Sequence, residues 1–150
     1  MAHPKDIGDR STLAILSVLC ELGWGAYMPF GENTRIDLIL ERGDELARVQ
    51  CKTGRLRGTA IIFAVCSTYG HHRNPRAVTR TYAGQIDYFA VYCPETQGVY
   101  LVPIGDVATK SKAHLRIAPS RNNQRARVRF AADYEIGWAS IEGLREFSGA

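Results

Sequence analysis

Residues 36–52, IDLILERGDELARVQCK, constrain the fold of this chain more than any other stretch. Two runs of alternating apolar and polar residues flank Gly43-Asp44, a glycine-first dipeptide typical of a tight two-residue turn. Counting outward from this turn predicts a β-hairpin with two distinct faces. The pairs predicted on the apolar face are Ile36–Cys51, Leu38–Val49 and Leu40–Ala47. The pairs predicted on the other face are Asp37–Gln50, Ile39–Arg48 and Glu41–Leu46.

The predicted register gathers Asp37, Gln50 and Lys52 on one face, and a slip of one residue would disperse them. A carboxylate and an amide oxygen are hard ligands that Mg²⁺ accepts, and the Cys51 carbonyl would add a backbone oxygen. A lysine beside such a site can orient or deprotonate an attacking water and stabilise developing charge. The pattern therefore indicates metal-assisted chemistry on a phosphate. The spacing alone also fits a solvated hairpin face with incidental polar residues.

An Asp followed by Gln-x-Lys on the neighbouring strand resembles the PD-(D/E)XK nuclease core, in which Gln can replace the acid. The wider strings PFGENTRIDLIL, RVQCKTGR and TYAGQIDYFAVYCPETQGVYLVP are similar to the group I intron-associated branch, which contains homing endonucleases. The similarity runs from about Gly8 to about Ile136. It implies an α/β (α+β) fold with a mixed central β-sheet flanked by helices.

The resemblance also implies a Mg²⁺-dependent endonuclease acting on double-stranded DNA, with Mn²⁺ able to substitute. Its catalytic residues would be Asp37, Gln50 and Lys52, and its metal ligands Asp37, Gln50 and the Cys51 carbonyl. Many members add a Glu from the first helix, but alignment on Gly8 puts Thr12 there. Glu32 or Asp87 would then be the candidate second carboxylates. Because one such site cuts one strand, we expect a homo-oligomer, a dimer or tetramer.

The 150 residues fit one domain, 1–150, with a core at about 8–136 and a tail at 137–150. With 45% hydrophobic and 23% charged residues, the composition is that of a globular protein. No signal-peptide core or membrane-length apolar run is present, so we expect a cytoplasmic protein without a membrane partner. The four scattered cysteines indicate neither a zinc site nor a disulfide framework.

Basic residues are segregated from acidic ones along the chain. No acidic residue lies between Glu45 and Asp87 or between Asp106 and Asp133, yet these two stretches hold fourteen of the nineteen Lys and Arg residues. Segregation of this kind favours a polyanion such as DNA, although a basic surface without a ligand is the alternative. The residues predicted to contact nucleic acid are Arg55, Arg57, Arg73, Arg76, Arg80, Arg121 and Arg125.

The remaining elements are predicted from periodicity and turn residues. We expect a loose arm at 1–7, a helix at 8–22 capped by Asp6 or Asp9, and a short edge strand at 26–30. Residues 53–58 would form a basic turn, and 60–66 a third strand of the hairpin's sheet. Residues 67–82 would form a DNA-contacting loop or a cap over the core. A hairpin at 86–93 and 99–103 precedes a short helix at 104–112, a strand at 114–118 and a helix within 133–150.

Two other functions fit the same residues. A catalytically inactive DNA-binding protein of this fold is possible because Gln50 and Thr12 leave Asp37 as the one assured carboxylate. A structure-selective nuclease, similar in fold to Holliday-junction resolvases, would differ by preferring four-way junctions over linear duplex.

Overall fold

The computed structural model describes residues 3–31, 34–69, 78–81, 84–107, 111–119 and 128–139, with the backbone alone given at 67–69 and 78–81. One α-helix, α1 (Pro4–Glu21), precedes the strands. These are β1 (Gly25–Tyr27), β2 (Leu38–Arg42), β3 (Glu45–Thr53), β4 (Arg55–Arg57), β5 (Ala60–Ala64), β6 (Cys66–Tyr69), β7 (Val78–Thr81), β8 (Tyr88–Cys93), β9 (Gly98–Pro103), β10 (Lys112–Arg116), β11 (Arg129–Phe130) and β12 (Glu135–Trp138). Short 3-10 turns cover Ile104–Asp106 and Ala131–Asp133.

The strands form one large sheet and two smaller ones. The six-stranded sheet has the order β1-β2-β3-β8-β9-β12 and is mixed, because β3 and β8 run parallel while its other neighbours are antiparallel. A four-stranded sheet has the order β11-β10-β5-β4, and β6 pairs with β7. The mixed central sheet with a helix on one face confirms the predicted fold class.

The β2–β3 hairpin has the predicted register from Leu38 opposite Val49 to Glu41 opposite Leu46. The prediction for Ile36 is wrong: its side chain packs with the cluster on the opposite face of the sheet. The reason is that the backbone N–H of Asp37 donates to the Val49 carbonyl at 2.9 Å, so the chain leaves the ladder below Leu38. The β2–β3 pairing therefore begins at Leu38, one residue after Asp37.

Two apolar clusters cover the two faces of the central sheet. On one face α1 buries side chains at helical spacing against β2, β3, β8 and β9; the helix contributes Ala14, Ile15, Val18 and Leu19. The other face packs against β5 and β10 of the four-stranded sheet, around Ile61, Phe63, Phe89, Val91 and Leu115. Burial on both faces explains why β8 is almost continuously apolar.

Several predicted elements differ from the structure. The helix begins at Pro4 with His3 as its N-cap, rather than near residue 8 with an aspartate cap, so most of the predicted loose arm is helical. A proline at the first helical position loses no hydrogen bond, which favours this earlier start. The predicted short helix at 104–112 is a 3-10 turn at Ile104–Asp106, and Lys112 already belongs to β10. Trp138 lies in β12 rather than in a helix.

The strand predicted at 60–66 exists as β5, but it belongs to the four-stranded sheet. Instead β8 takes the place beside β3, and the predicted turn at 53–58 contains β4. Gly54 allows this change of sheet, because a Cβ there would lie 2.7 Å from Ile61 Cγ2 and 2.9 Å from Val91 Cγ1. Its N–H donates to the Tyr92 carbonyl at 2.8 Å.

Candidate active site

Asp37 lies where the β2–β3 ladder ends, and its carboxylate replaces a backbone partner there. Asp37 Oδ2 accepts a hydrogen bond from the Cys51 N–H at 2.8 Å. The N–H and C=O of one strand residue point to the same side, so the Cys51 carbonyl also points towards this end of β2. The carboxylate is thus fixed against the backbone of β3 between Gln50 and Lys52.

The environment of Asp37 disfavours its charged form. Burial raises the pKa of Asp37 above its ordinary value, and the Cys51 N–H and the positive charge of Lys52 oppose that rise. A carboxylate with a raised pKa gains from a further cation, because the cation would stabilise the ionised form. This feature is typical of functional sites, although structural ion networks produce it as well.

Gln50 carries a buried amide oxygen with no hydrogen-bond partner. Its Oε1 is the one buried side-chain nitrogen or oxygen in the described part of the chain that lacks one. Leaving a buried acceptor unsatisfied costs about 1–3 kcal/mol. Because Val49 and Cys51 contact the helix-side cluster, Gln50 and Lys52 alternate to the opposite face of β3.

The side chain of Cys51 lies on the helix side, next to Thr12. Burial raises the pKa of the Cys51 thiol to about 12, the negative charge of Asp37 adds to this, and a hydrogen bond with Thr12 opposes it. The Thr12 hydroxyl also donates to the Gly8 carbonyl at 3.0 Å. Thr12 of α1 therefore lies close to the metal-site candidates, where the resemblance expects a Glu, but it brings no carboxylate.

A second contact ties α1 to the end of β3. The buried hydroxyl of Ser11 hydrogen-bonds with the hydroxyl of Thr53, the residue after Lys52. Sequence reasoning missed this pair, although its signal was available in a small polar residue on the apolar stripe of the helix. The contact restricts the end of β3 relative to the helix.

Asp87 does not join Asp37; it binds Arg48 across the parallel β3–β8 pair. Asp87 Oδ2 accepts from the Arg48 backbone N–H at 2.8 Å and from Nε at 3.2 Å, and Oδ1 accepts from NH2 at 3.0 Å. Hydrogen bonds from the Arg48 side chain lower the pKa of Asp87. These three hydrogen bonds between Arg48 and Asp87, called the clamp below, hold β3 against the start of β8.

Of the predicted DNA contacts, Arg55 and Arg57 are described with their side chains, on β4 immediately beyond Gly54. Arg55 NH1 lies 3.8 Å from Glu95 Oε1, and Arg57 is exposed. For Arg80 the backbone alone is described, in β7. Four of the predicted DNA contacts lie outside the described residues: Arg73, Arg76, Arg121 and Arg125. Glu32 lies outside them as well.

The oxygen donors at the end of the β2–β3 pairing fit a divalent cation, although only one of them carries a negative charge. They are the Asp37 carboxylate, the partnerless Gln50 Oε1 and the Cys51 carbonyl. Within the described ranges no three His, Cys, Asp or Glu side chains form a metal-binding group. The fit therefore depends on the amide and backbone oxygens.

A family model described as PD-(D/E)XK endonuclease matches residues 2–137. The chain belongs to the PD-(D/E)XK endonuclease family. The match covers Asp37 and the Gln50-Cys51-Lys52 run, so the sequence resemblance noted above is confirmed at the level of the family. No curated protein matches the chain.

A solved structure of a bacterial homing endonuclease, I-Ssp6803I, has the same fold as this PD-(D/E)XK endonuclease. The two superpose with a TM-score of 0.72 at 23% sequence identity, over 97% of this chain and 93% of the other. In the described part of the chain, no helix is both long and apolar enough to span a bilayer.

Proposed function

We propose that this PD-(D/E)XK endonuclease hydrolyses phosphodiester bonds of double-stranded DNA with Mg²⁺, for which Mn²⁺ can substitute. The observation that carries this proposal is the buried, partnerless Gln50 Oε1 on the strand against which Asp37 is fixed. An oxygen in that state is stabilised by a cation, and Asp37 gains from the same cation. The family match supports the phosphodiesterase chemistry.

Asp37, Gln50 Oε1 and the Cys51 carbonyl would hold the metal ion. A bound divalent ion stabilises negative charge on phosphate oxygens and increases the acidity of water. Lys52 would orient or deprotonate the attacking water and stabilise the charge that develops on the phosphate. Arg55 and Arg57, on the next strand, would contact phosphates beside the cut.

We further propose a homing-endonuclease-like activity by a homo-oligomer, a dimer or tetramer, in the cytoplasm. The similarity of fold to I-Ssp6803I supports the homing-endonuclease-like activity. A single site cuts one strand, so a double-strand break requires two subunits in a symmetric arrangement.

Plasmid nicking with and without Mg²⁺ tests the proposal. Lys52→Ala and Asp37→Ala should abolish Mg²⁺-dependent nicks while DNA affinity changes by no more than a few-fold. The matched controls are Lys112→Ala, on β10, and Asp44→Ala, in the hairpin turn, which should both retain wild-type activity. An active Asp37→Ala protein would remove Asp37 from the mechanism.

The alternative function is a catalytically inactive DNA-binding protein of the same fold. It is favoured because Asp37 is the one carboxylate among the metal-ligand candidates that the described part of the chain contains. Calorimetric titration of Mg²⁺ into a protein–DNA complex separates the two: heat of binding that disappears in Asp37→Ala supports the endonuclease. No binding of Mg²⁺ together with tight duplex binding supports the inactive protein. Preferential cutting of four-way junctions would instead indicate a structure-selective nuclease.

A further inference from the structure

The segment that follows β1 presents apolar side chains to solvent. Met28 is 60% exposed and Phe30 is fully exposed, with Pro29 between them. Neither side chain belongs to the two apolar clusters of the fold. Single exposed apolar residues are ordinary, but packing within the described part of the chain does not explain a consecutive Met-Pro-Phe tip.

This tip lies at the same end of the sheet as the candidate site. Tyr27 pairs with Ile39, so the chain leaves β1 where the incoming chain passes Asp37 and enters β2. Phe30 follows Tyr27 by three residues, which spans about 10 Å of extended chain. The side chain of Tyr27 stays on the sheet, because its hydroxyl donates to Glu41 Oε1 at 3.2 Å. The apolar tip therefore begins at the end of the sheet at which Asp37 lies.

We propose that Phe30, with Met28 beside it, inserts as an apolar wedge against the nucleobases next to the phosphate that lies at the candidate site beside Lys52. This inference rests on the proposed function and adds a DNA-positioning residue to it. Phe, Met and Pro are the side chains that DNA-bending proteins insert between base steps, which unstacks the step and kinks the duplex. A wedge so close to the site fixes which phosphodiester lies at Asp37.

The size of the tip argues for a nucleobase rather than for a second copy of the chain. A buried aromatic side chain contributes about 150–250 Å². A stable protein interface buries about 800 Å² on each partner. Three adjacent side chains fall well short of that area, whereas one aromatic ring suffices to stack on a base. The acid-free stretch between Glu45 and Asp87, which holds Lys52, Arg55 and Arg57, provides the attraction for the duplex.

Tryptophan fluorescence on a synthetic DNA duplex tests this wedge without requiring cleavage. Phe30→Trp is compared with Leu46→Trp. Leu46 is also exposed, but it lies next to the turn of the β2–β3 hairpin, at the end away from Asp37. Without divalent metal and at low salt, the duplex should quench Phe30→Trp emission beyond the change seen in the wild type, and leave Leu46→Trp at the wild-type level. Phe30→Ala should bind the duplex roughly ten-fold more weakly with an unchanged melting temperature.

The outcomes separate the wedge from the function on which it rests. If the wild type shifts the duplex in a mobility assay but Phe30→Trp behaves like Leu46→Trp, the wedge is wrong and the proposed function stands. A wild type that binds no duplex overturns both. An emission change of Phe30→Trp with protein concentration alone, matched by a larger mass in sedimentation, assigns the tip to self-association and overturns the wedge.

Discussion

At the scale of single residues, the site combines a carboxylate that is costly to ionise with an amide oxygen that has no partner. Burial raises the pKa of Asp37, and Gln50 Oε1 is buried without a donor. Both costs disappear if a cation binds. We therefore expect the protein without metal to be less stable than a variant with an apolar side chain at position 50.

Gln50→Met tests this cost. Without Mg²⁺ the variant should gain about 1 kcal/mol in the free energy of unfolding, because the unsatisfied oxygen is removed at nearly constant volume. It should also lose any stabilisation that Mg²⁺ gives the wild type. Urea unfolding with and without Mg²⁺ measures both quantities. Gln85→Met, at an exposed position, is the control. A Gln50→Met protein that Mg²⁺ still stabilises would exclude Gln50 as a ligand.

At the scale of elements, β3 belongs to the central sheet and ends where the chain crosses to the second sheet. Its N-terminal half pairs with β2, its C-terminal half pairs with β8 alone, and Asp37 occupies the side that β2 leaves open. This open side is where a ligand can reach the backbone of β3. Gly54 then brings β4 directly after the site.

Gly54→Ala should lower the free energy of unfolding by about 1–3 kcal/mol, because the added methyl meets two buried side chains. Gly8→Ala is the matched control, since a Cβ at this exposed helical position meets nothing within 4 Å. That control should stabilise the protein by up to about 1 kcal/mol. Chemical denaturation measures both. Equal effects of the two variants would show that β4 can move away from β8 freely.

The clamp between Arg48 and Asp87 predicts a dependence of stability on pH. The folded state lowers the pKa of Asp87 from 3.8, so the clamp stabilises the fold fully above that value and less as pH falls through the lowered pKa. Asp87→Asn should therefore be less stable than the wild type at neutral pH, with a difference that shrinks below pH 3.8. Urea unfolding of both proteins at neutral pH and below pH 3.8 measures this difference in stability. Asp44→Asn, in the turn, should show no such trend.

At the scale of the whole molecule, three basic residues lie in the same region as the candidate site. Lys52, Arg55 and Arg57 follow one another from the end of β3 into β4. The net charge of +4 therefore understates the local field that DNA would meet there.

Arg57→Gln should reduce the slope of log binding constant against log salt concentration by about 1, as expected for the loss of one phosphate contact. Titration of a labelled duplex at several salt concentrations measures the slope. Lys5→Gln, at the start of α1, removes an equal charge from the helix and should leave the slope unchanged. Equal slopes for both variants would place the DNA away from β4.

The sequence by itself predicted the hairpin, its register from Leu38 to Glu41 and the family, and it named the candidate site residues. The register is a local property, because alternation and a glycine-first turn define which side chains share a face. The family follows instead from similarity along most of the chain. The tertiary structure alone decided that β8 rather than β5 lies beside β3, that Ile36 packs on the opposite face, and that Asp87 binds Arg48. These depend on contacts between residues far apart in the chain, where several pairings of apolar strands satisfy the same pattern. The partnerless state of Gln50 is also a tertiary property, because burial removes the water that would otherwise bind its oxygen.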